Sequence, residues 1–447
     1  MGVINRLRGI ERPRVVVLGL DGVPFSLIDA HPDRFEHLSS LIDEGSATSI
    51  ESVVPPESSA SWPCITTGMN PGETGVYGLV DRELGTYQTY FTASGDVQVP
   101  HVWDYVANAD LDATVVNVPV THPPQRNLQR MIAGFLAPDI DRAVYPRSLA
   151  ETLRSLGYRI DVDATLARDG DITAFLENAY ETIDARFEAF AHFIDLQDWD
   201  LFVGVFMAPD RVNHFLYGEY LEDGPHLEDF LAFYEQLDTY IGALRSRLPD
   251  DTTLMVVSNH GFDRLHYEVQ VNRWLRETDW LTYDDTSPSD LADIDEATKA
   301  YSLQPGRFYL NLVGREAEGI IAEEEYELVR DQLKEALLQW SGPEGESVID
   351  RVVTRESVYR GPHVDLAPDV IAIPSPGFDL QASFKGEGPI FERTNRTGMH
   401  RAADACLIID QPAIELSQAT VFDVAPTILS MLNIEFERGD FDGVSLS

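Results

Sequence analysis

The chain has 447 residues, and its 33 Lys and Arg against 75 Asp and Glu leave a formal net charge of −42. This length favours two or three domains, or one large α/β domain with an insertion, and a hydrophobic content of 44% indicates a globular chain and not a disordered acidic one. A surface this acidic repels phosphate backbones and anionic lipids, which excludes nucleic-acid coating and a polybasic membrane anchor.

The first predicted elements alternate between strand and helix. Arg14–Leu20 is a short apolar run that ends at Asp21, as expected for a buried parallel strand with a polar residue at its carboxyl end. Helical spacing follows over residues 24–45, and a second strand is predicted over residues 47–54. Ser58–Thr67 then reads as a helix that begins with serines in capping positions.

The rest of the chain continues this alternation. Further apolar runs predict strands at 113–118, 201–206, 253–258, 308–312, 370–373 and 405–409, and helical patterns cover 227–248, 322–339 and 421–432. Strands that alternate with helices indicate an α/β fold with a mostly parallel sheet. Residues 145–199 are helical and polar and are interpreted as an insertion or cap, so that 1–144 and 200–447 form the two parts of the core. Residues 284–295 read as a loop.

Polar side chains follow three of the predicted strands. Asp21 ends the first strand, Asp210 follows the strand at 201–206, and Asn259 and His260 follow the strand at 253–258. Because ligands of such sheets bind beyond the carboxyl ends of parallel strands, these residues are expected at one edge of the sheet.

Histidines give this edge the chemistry of a metal site. His214 lies four residues after Asp210, so one helical turn places both on one face, and carboxylate oxygen and imidazole nitrogen suit zinc or manganese. Alone, this pair is better explained by a helix cap and a surface histidine. His260 in the run SNHGF fits either a crevice or an ordinary turn, and His400 in the run TGMHR, just before an apolar strand, is by itself more typical of a structural residue.

The segment 55–78 places several hydroxyl groups where a helix begins. A nucleophilic serine there would present its phosphoserine product to backbone N–H groups and to the positive end of the helix dipole. Simple N-capping by the same serines is the alternative.

Together these motifs resemble the alkaline phosphatase superfamily, in its type I phosphodiesterase and nucleotide pyrophosphatase branch. The resemblance spans nearly the whole chain. It rests on GLDG at 19–22, TGMNPG at 67–72, PDRVNHF at 209–215, NHGF at 259–262, GMHR at 398–401 and DVAPTILSMLNI at 423–434. It implies an alkaline-phosphatase-like three-layer sandwich with helices on both faces of a mostly parallel central sheet and a helical insertion.

The resemblance also implies the roles of individual residues. One divalent cation would be held by Asp210, His214 and His400, and a second by Asp21, Ser58, Asn259 and His260. Relatives carry their nucleophile nine residues before the Thr of the T-G pair, and counting back from Thr67 gives Ser58. Ser59 is its neighbour and the alternative if the alignment slips. Ser61 lies where some relatives place an Asn that touches the phosphate.

Asn259 departs from the pattern, because relatives usually carry Asp-His at this point. A neutral amide removes one negative charge from the second cation position, so binding there is expected to weaken or to shift away from zinc. Three explanations stay open: a working site with a weaker second cation, replacement by another carboxylate such as Asp263, or an impaired enzyme. The first is preferred because the other expected ligands are all present.

The function implied is a metal-dependent hydrolase of phosphoric esters that acts on a small phosphorylated substrate through a covalent phosphoserine. The alternatives are a non-catalytic or impaired protein that binds one cation on the same fold, and a transferase that moves a phospho-head-group between alcohols. A sulfatase is excluded, because no Cys or Ser is followed by the x-P-S-R run that sulfatases need.

Other features concern the compartment of the protein. Only three lysines occur (Lys299, Lys334 and Lys385), and few lysines among many carboxylates indicate adaptation to a salty cytoplasm, where screening makes self-repulsion tolerable. An ordinary acidic protein is the alternative. Two cysteines are too few for a disulfide framework. No membrane span and no signal-peptide pattern at the N-terminus are recognised, so a cytoplasmic location is expected. Oligomeric state is not readable from the sequence.

Overall fold

The computed structural model describes residues 12–283, 288–385 and 387–447, and the statements below concern these residues. The predictions for the start of the chain, and part of the loop predicted at 284–295, lie outside them. Strands β1 to β18 are, in chain order, Arg14–Leu20, Ser46–Ile50, Val80–Arg82, Thr89–Phe91, Ala113–Val118, Arg130–Ala133, Val144–Tyr145, Leu201–Phe206, Thr252–Val257, Gly261–Gln270, Ala300–Leu303, Arg307–Leu310, Ile349–Thr354, Val370–Pro374, Gly377–Gln381, Phe391–Glu392, Gly398–Arg401 and Ala405–Ile409.

Helices connect and cover these strands. The α-helices are Phe25–Ala30, Glu36–Glu44, Ser58–Thr67, Pro71–Thr74, Val102–Asn108, Ile140–Ala143, Leu149–Ser155, Thr165–Arg168, Ile172–Asp195, Ala208–Leu221, Leu227–Arg245, Val271–Glu277, Tyr326–Leu338, Arg355–Val358 and Val424–Met431. Short 3₁₀ turns are Ser94–Asp96, Leu291–Asp293, Glu323–Glu325, Val364–Leu366, Val421–Asp423 and Arg438–Asp440. In the described part of the chain, no helix is long and apolar enough to cross a membrane.

An eight-stranded sheet forms the centre of the molecule, in the order β2-β18-β9-β1-β8-β5-β6-β7. The five middle strands from β9 to β6 run parallel, and β18 and β7 join them antiparallel. Strand β1 lies between β8 and β9, so the residues that follow these three strands meet at one edge of the sheet.

The two faces of this sheet carry separate apolar cores. In β1, Val15 and Val17 face the side covered by the helices Ser58–Thr67, Val102–Asn108 and Val424–Met431. Val16 and Leu18 face the opposite side, because side chains alternate along a strand. That second face is covered by Glu36–Glu44, Ile172–Asp195, Ala208–Leu221 and Leu227–Arg245. The predicted three-layer α/β sandwich with a mostly parallel sheet is therefore confirmed.

Two four-stranded sheets and the two-stranded sheet β3-β4 accompany the sandwich. Strands β11, β12, β14 and β13 form an antiparallel sheet that packs on the helices Val271–Glu277 and Tyr326–Leu338 around its own apolar core. Strand β10 pairs with β15, β16 and β17. The sequence did not predict β10 or β17, and the second of these carries His400.

Five of the six strands predicted in the central sheet agree with the structure to within one residue, and β6 and β7 were not predicted; one predicted helix and the sixth strand differ from the structure. The helix predicted over 24–45 is two helices, separated at residues 31–35, where Pro32 lacks the N–H that a continuous helix needs. The strand predicted over 47–54 ends at Ile50, and the Ser52 N–H beyond it bonds the Ala402 carbonyl instead of a strand partner.

Residues 145–199 are largely helical. The helix Ile172–Asp195 packs on the central sheet, where the Phe190 ring meets Phe202 and Phe206 and fills the space over Gly204. The shorter helix Thr165–Arg168 lies beside the edge that carries the polar residues. The division of the chain into a core and an insertion stays a prediction.

A buried histidine makes stability depend on pH. His101 lies 2.9 Å from the Thr66 hydroxyl and stacks on Trp103, and burial lowers its pKa from 6.5 to about 4. As the pH falls below 6.5, the unfolded chain binds a proton at His101, whereas the folded chain does not until the pH nears 4. The stability that comes from keeping His101 neutral is therefore complete above pH 6.5 and is lost as the pH falls toward 4. Between pH 7 and 4.5, denaturant unfolding of the wild type should lose about 2 to 3 kcal/mol more than that of His101→Gln. Parallel losses in both proteins would contradict this.

Candidate active site

Asp21 is the first polar residue beyond β1 and lies fully buried. One of its oxygens accepts a hydrogen bond from the Ser58 hydroxyl at 2.9 Å, and the other accepts one from the Trp62 indole at 2.6 Å. Gly22 follows with a φ of +69°, and a Cβ there would lie 2.6 Å from Phe262. The tight turn at Gly22 therefore holds Asp21 against the helix that begins at Ser58.

The helix Ser58–Thr67 is buried along its whole length and brings Ser58 to the sheet edge with its first turn. Trp62 lies one turn further on, and its ring leaves no space for a side chain at Gly19 of β1. Glu57 is the N-cap, and its carboxylate accepts the Ser59 N–H at 2.9 Å. The Glu57 carboxylate thus takes one of the backbone N–H groups that were expected from the sequence to face a phosphoserine.

Three groups surround the Ser58 hydroxyl. Asp21 accepts its proton, the His260 Nε2 lies 3.2 Å from the oxygen, and the Asn259 Nδ2 donates to it at 3.2 Å. Ser59 lies beside it, and its buried hydroxyl has no hydrogen-bond partner among the described residues. Of the two serines considered from the sequence, only Ser58 contacts the other predicted site residues.

Asn259 presents its amide nitrogen, and not its oxygen, to this hydroxyl. Its Oδ1 accepts the Gly22 N–H at 3.0 Å, while its Nδ2 donates to Ser58 and, at 3.1 Å, to Ser61. The prediction that Asn259 supplies a ligand oxygen beside Ser58 therefore does not match this orientation of the side chain.

Asp210 and His214 lie on the first turns of the helix Ala208–Leu221, which follows β8. The Arg211 guanidinium contacts one oxygen of Asp210 at 2.7 Å and reaches Asp161 at 2.9 Å. This leaves the other oxygen of Asp210 free to face the histidines. The Nδ1 of His214 lies 2.9 Å from the Arg396 guanidinium.

His400 reaches the same place from β17, which pairs antiparallel with β10. Its Nδ1 donates to the Pro56 carbonyl at 3.1 Å, and the Nδ1 of His260 donates to the Gly261 carbonyl at 3.1 Å. Each of these bonds fixes the ring and turns the Nε2 toward the cluster, which is the arrangement that metal-binding histidines use.

The cluster has the dimensions of a cation site. The Nε2 of His400 lies 3.1 Å from Asp210 Oδ1 and 3.1 Å from the Nε2 of His214, and His214 lies 3.6 Å from the same oxygen. Ligands at about 2.05 Å around a tetrahedral cation would be separated by about 3.3 Å. The ligand atoms of Asp210, His260 and His400 also lie within 4.8 Å of one another. Asp210 and His400, with His214 or His260 as the third group, therefore have the spacing of a divalent-cation site.

The pKa values of the two buried carboxylates, Asp21 and Asp210, are shifted in opposite directions. Burial, helped by the nearby Asp210, raises the pKa of Asp21 to about 7. Burial also acts to raise the pKa of Asp210, but His214, His400 and Arg211 together hold it well below its usual range. Asp210 is therefore the carboxylate that stays charged, as a cation ligand must.

Burial and neighbouring charges also shift the pKa values of the three histidines. Burial, with the neighbouring His400, lowers the pKa of His260 to about 3, and burial holds the pKa of His214 well below its ordinary value. For His400, burial is outweighed by its hydrogen bond to Asp210, and its pKa is raised. His214 and His260 are thus neutral at pH 7, and His260, which gives its Nδ1–H to the Gly261 carbonyl, has its Nε2 lone pair available for coordination.

Comparison with known proteins identifies the family of the chain. The family model of the type I phosphodiesterase / nucleotide pyrophosphatase family matches residues 15–403 of the chain. The chain belongs to this family. Among curated proteins, none matches the sequence.

Solved structures show the fold of this family member. Phosphonoacetate hydrolase from Sinorhizobium meliloti 1021, in complex with phosphonoacetate, is 18% identical over 94% of this chain and 96% of its own, with a TM-score of 0.64. An inactive murine ectonucleotide pyrophosphatase / phosphodiesterase 5, in complex with AMP, is 13% identical over 96% and 97%, with a TM-score of 0.58. The alkaline phosphatase PafA is 14% identical over 98% and 99%, with a TM-score of 0.60.

Sequence reasoning missed several residues of this phosphodiesterase-family site. Trp62 and Arg211 each hold one oxygen of a site carboxylate, and Glu57 caps the helix of Ser58. A buried Asp at a strand end needs hydrogen-bond donors around its carboxylate. The sequence near Trp62, however, does not mark its indole N–H as one of these donors. His122 and His266 do not join the cluster, and neither lines the cleft above it.

A cleft of about 950 Å³ opens above the cluster. Ser58, Asp210, His214 and His400 lie at its wall, together with Asp263, whose carboxylate accepts the Arg264 N–H and stands apart from the metal-type cluster. Segments from all parts of the chain line it, including the stretch 161–168 and the smaller antiparallel sheet. The site is therefore open to a small molecule.

Proposed function

We propose that the protein is a metal-dependent hydrolase of phosphoric esters, of the phosphodiesterase and nucleotide pyrophosphatase type, with Ser58 as its nucleophile. The observation that carries this proposal is the position of the Ser58 hydroxyl. It contacts Asp21 and His260, and the latter lies 3.9 Å from Asp210 of the cation cluster. A hydroxyl held beside an acceptor and beside a cation site in an open cleft is the arrangement that phosphoryl transfer to serine requires.

Asp210, His214 and His400 would hold the divalent cation, and their mixed nitrogen and oxygen ligands suit zinc or manganese. When bound, such a cation supplies positive charge to the phosphoryl oxygens and to the leaving oxygen. The second cation that the resemblance implies would need Asp21, Ser58, Asn259 and His260 as ligands. The support for it is weaker, since Asn259 turns an N–H group toward Ser58.

The chain's own groups would carry the proton transfers. The Ser58 hydroxyl gives its proton to the Asp21 oxygen that lies 2.9 Å away, the serine oxygen forms a bond to phosphorus, and the bond from phosphorus to the leaving oxygen breaks, so that the leaving group departs with its electron pair. The phosphoserine formed in this way is then hydrolysed by water, and Asp21 returns the proton to Ser58. Trp62 holds the second oxygen of Asp21, so that the acceptor keeps its orientation throughout.

Three arginines of the cleft offer unpaired positive charge to an anionic substrate, although carboxylates such as Glu51 and Asp263 line it too. Arg168, Arg351 and Arg401 line it, are exposed, and have no salt-bridge partner among the described residues. Most other arginines of this acidic chain are paired with carboxylates, for example Arg34 and Arg330. Unpaired cations around the cleft would attract a small phosphorylated molecule and hold it near Ser58.

Hydrolysis of a chromogenic ester tests this function. The purified protein would be assayed in high salt with bis-p-nitrophenyl phosphate and with p-nitrophenyl phosphate, with Mn²⁺ or Zn²⁺ added. We expect cation-dependent release of p-nitrophenolate from at least one of them, and the ratio of the two rates gives the preference for diesters or monoesters.

The same assay addresses the alternatives. A protein that binds the cation but hydrolyses neither ester would be the non-catalytic binder, which Asn259 favours. Product that appears only when an acceptor alcohol is added, followed by ³¹P NMR, would identify a phospho-head-group transferase instead of a hydrolase.

A further inference from the structure

The orientation of the Asn259 amide is fixed by its surroundings. The side chain is fully buried, and its oxygen accepts the Gly22 N–H at 3.0 Å. Its nitrogen faces two hydroxyl oxygens, those of Ser58 and Ser61, at 3.2 and 3.1 Å. Turning the amide over would set its N–H₂ group against the N–H of Gly22, and two buried donors would then face each other.

An aspartate at position 259 would use the Gly22 N–H in a different way from the asparagine. A carboxylate has two acceptor oxygens, so one would take the Gly22 N–H and the second would point to Ser58 as a cation ligand. An asparagine has one oxygen, and the Gly22 N–H already uses it. At this position, therefore, Asp offers a ligand to a cation beside Ser58, and Asn offers a hydrogen bond to Ser58 itself.

We propose that Asn259 is a hydrogen-bond donor that holds the Ser58 oxygen, and that the chain keeps a single cation, on Asp210, His214 and His400. The inference rests on the proposed function, since it assumes that these three residues hold a cation. The donor of Asn259 occupies the direction from which a second cation would contact Ser58, and the residues there do not fit that cation. Hydrogen bonds from Asn259 and to Asp21 then orient the nucleophile.

Cation stoichiometry tests the proposal directly. The wild type and Asn259→Asp would be freed of metal, dialysed against Mn²⁺ in high salt and analysed for bound Mn²⁺, with electron paramagnetic resonance as a second readout. We expect one Mn²⁺ per chain and an uncoupled signal for the wild type, and two Mn²⁺ with a spin-coupled signal for the variant. Asn395→Asp adds the same charge on an exposed loop and should still bind one.

Each other outcome has a defined meaning. Two tightly bound cations in the wild type, or one in Asn259→Asp, would overturn the inference and leave the proposed function intact. A wild type that binds no cation would contradict the proposed function itself. Asn259→Ala supplies the test of the hydrogen bond: it should lower kcat about tenfold or more with little change in KM and still bind one cation, whereas an unchanged kcat would refute the donor role.

Discussion

Replacing Ser58 with Ala is expected to lower the rate of ester hydrolysis by more than about a thousandfold, because the reaction then has no oxygen on which to form the phosphoserine. The hydroxyl makes its contacts with Asp21, His260 and Asn259 at the edge of the site, and the helix that carries it is packed by other residues. Folding and cation binding should therefore be retained. Steady-state kinetics, circular dichroism and bound-metal analysis measure the three quantities.

Ser59→Ala is the matched control for this substitution. Ser59 is the adjacent residue, is also buried, and its hydroxyl has no hydrogen-bond partner among the described residues. Its removal should change the rate less than about threefold. If Ser59→Ala were inactive and Ser58→Ala active, the assignment of the nucleophile would be reversed.

Replacing Asp210 with Asn is expected to have the second large effect, a loss of cation affinity of a hundredfold or more together with the activity. Asp210 Oδ1 faces the Nε2 atoms of His400 and His214 at 3.1 and 3.6 Å, and it is the only carboxylate oxygen within this set. Chelation of the wild type should abolish hydrolysis reversibly for the same reason. Titration with Mn²⁺, followed by calorimetry and by activity, measures both effects.

Asp161→Asn makes the same change from carboxylate to amide at a residue that is linked to Asp210 only through Arg211. Asp161 contacts Arg211 at 2.9 Å, and Arg211 in turn contacts the oxygen of Asp210 that faces away from the histidines. This variant should weaken cation binding tenfold or less. Equal losses in the Asp161 and Asp210 variants would show that the cluster does not hold the cation.

Much of the central sheet could be predicted from sequence, because its strands are continuous apolar runs buried on both faces. This is true of β1, β5, β8 and β18, whose residues are nearly all buried. Strands β10 and β17 lack that signal. Gly261–Gln270 mixes buried, half-buried and exposed positions and contains charged residues, and its pairing with β17 joins segments more than 130 residues apart.

Some residues of the site could likewise be predicted from the sequence, and others could not. Asp21, Asp210 and His260 were predictable because each follows a recognisable strand, and strand ends of a parallel sheet meet at one edge. The role of Asn259 was not, since the direction of its amide is decided by a backbone N–H 237 residues earlier in the chain. The capping of the Ser58 helix by Glu57 likewise depends on a rotamer that the sequence does not specify.

The most direct measurement is a crystal structure of the protein with Mn²⁺ and orthovanadate, with anomalous scattering used to locate both metals. The expected result is one manganese among Asp210, His214 and His400, and a vanadium bonded to the Ser58 oxygen. A vanadium bound away from Ser58, or an absence of manganese from those three residues, would contradict the proposed nucleophile and cation site.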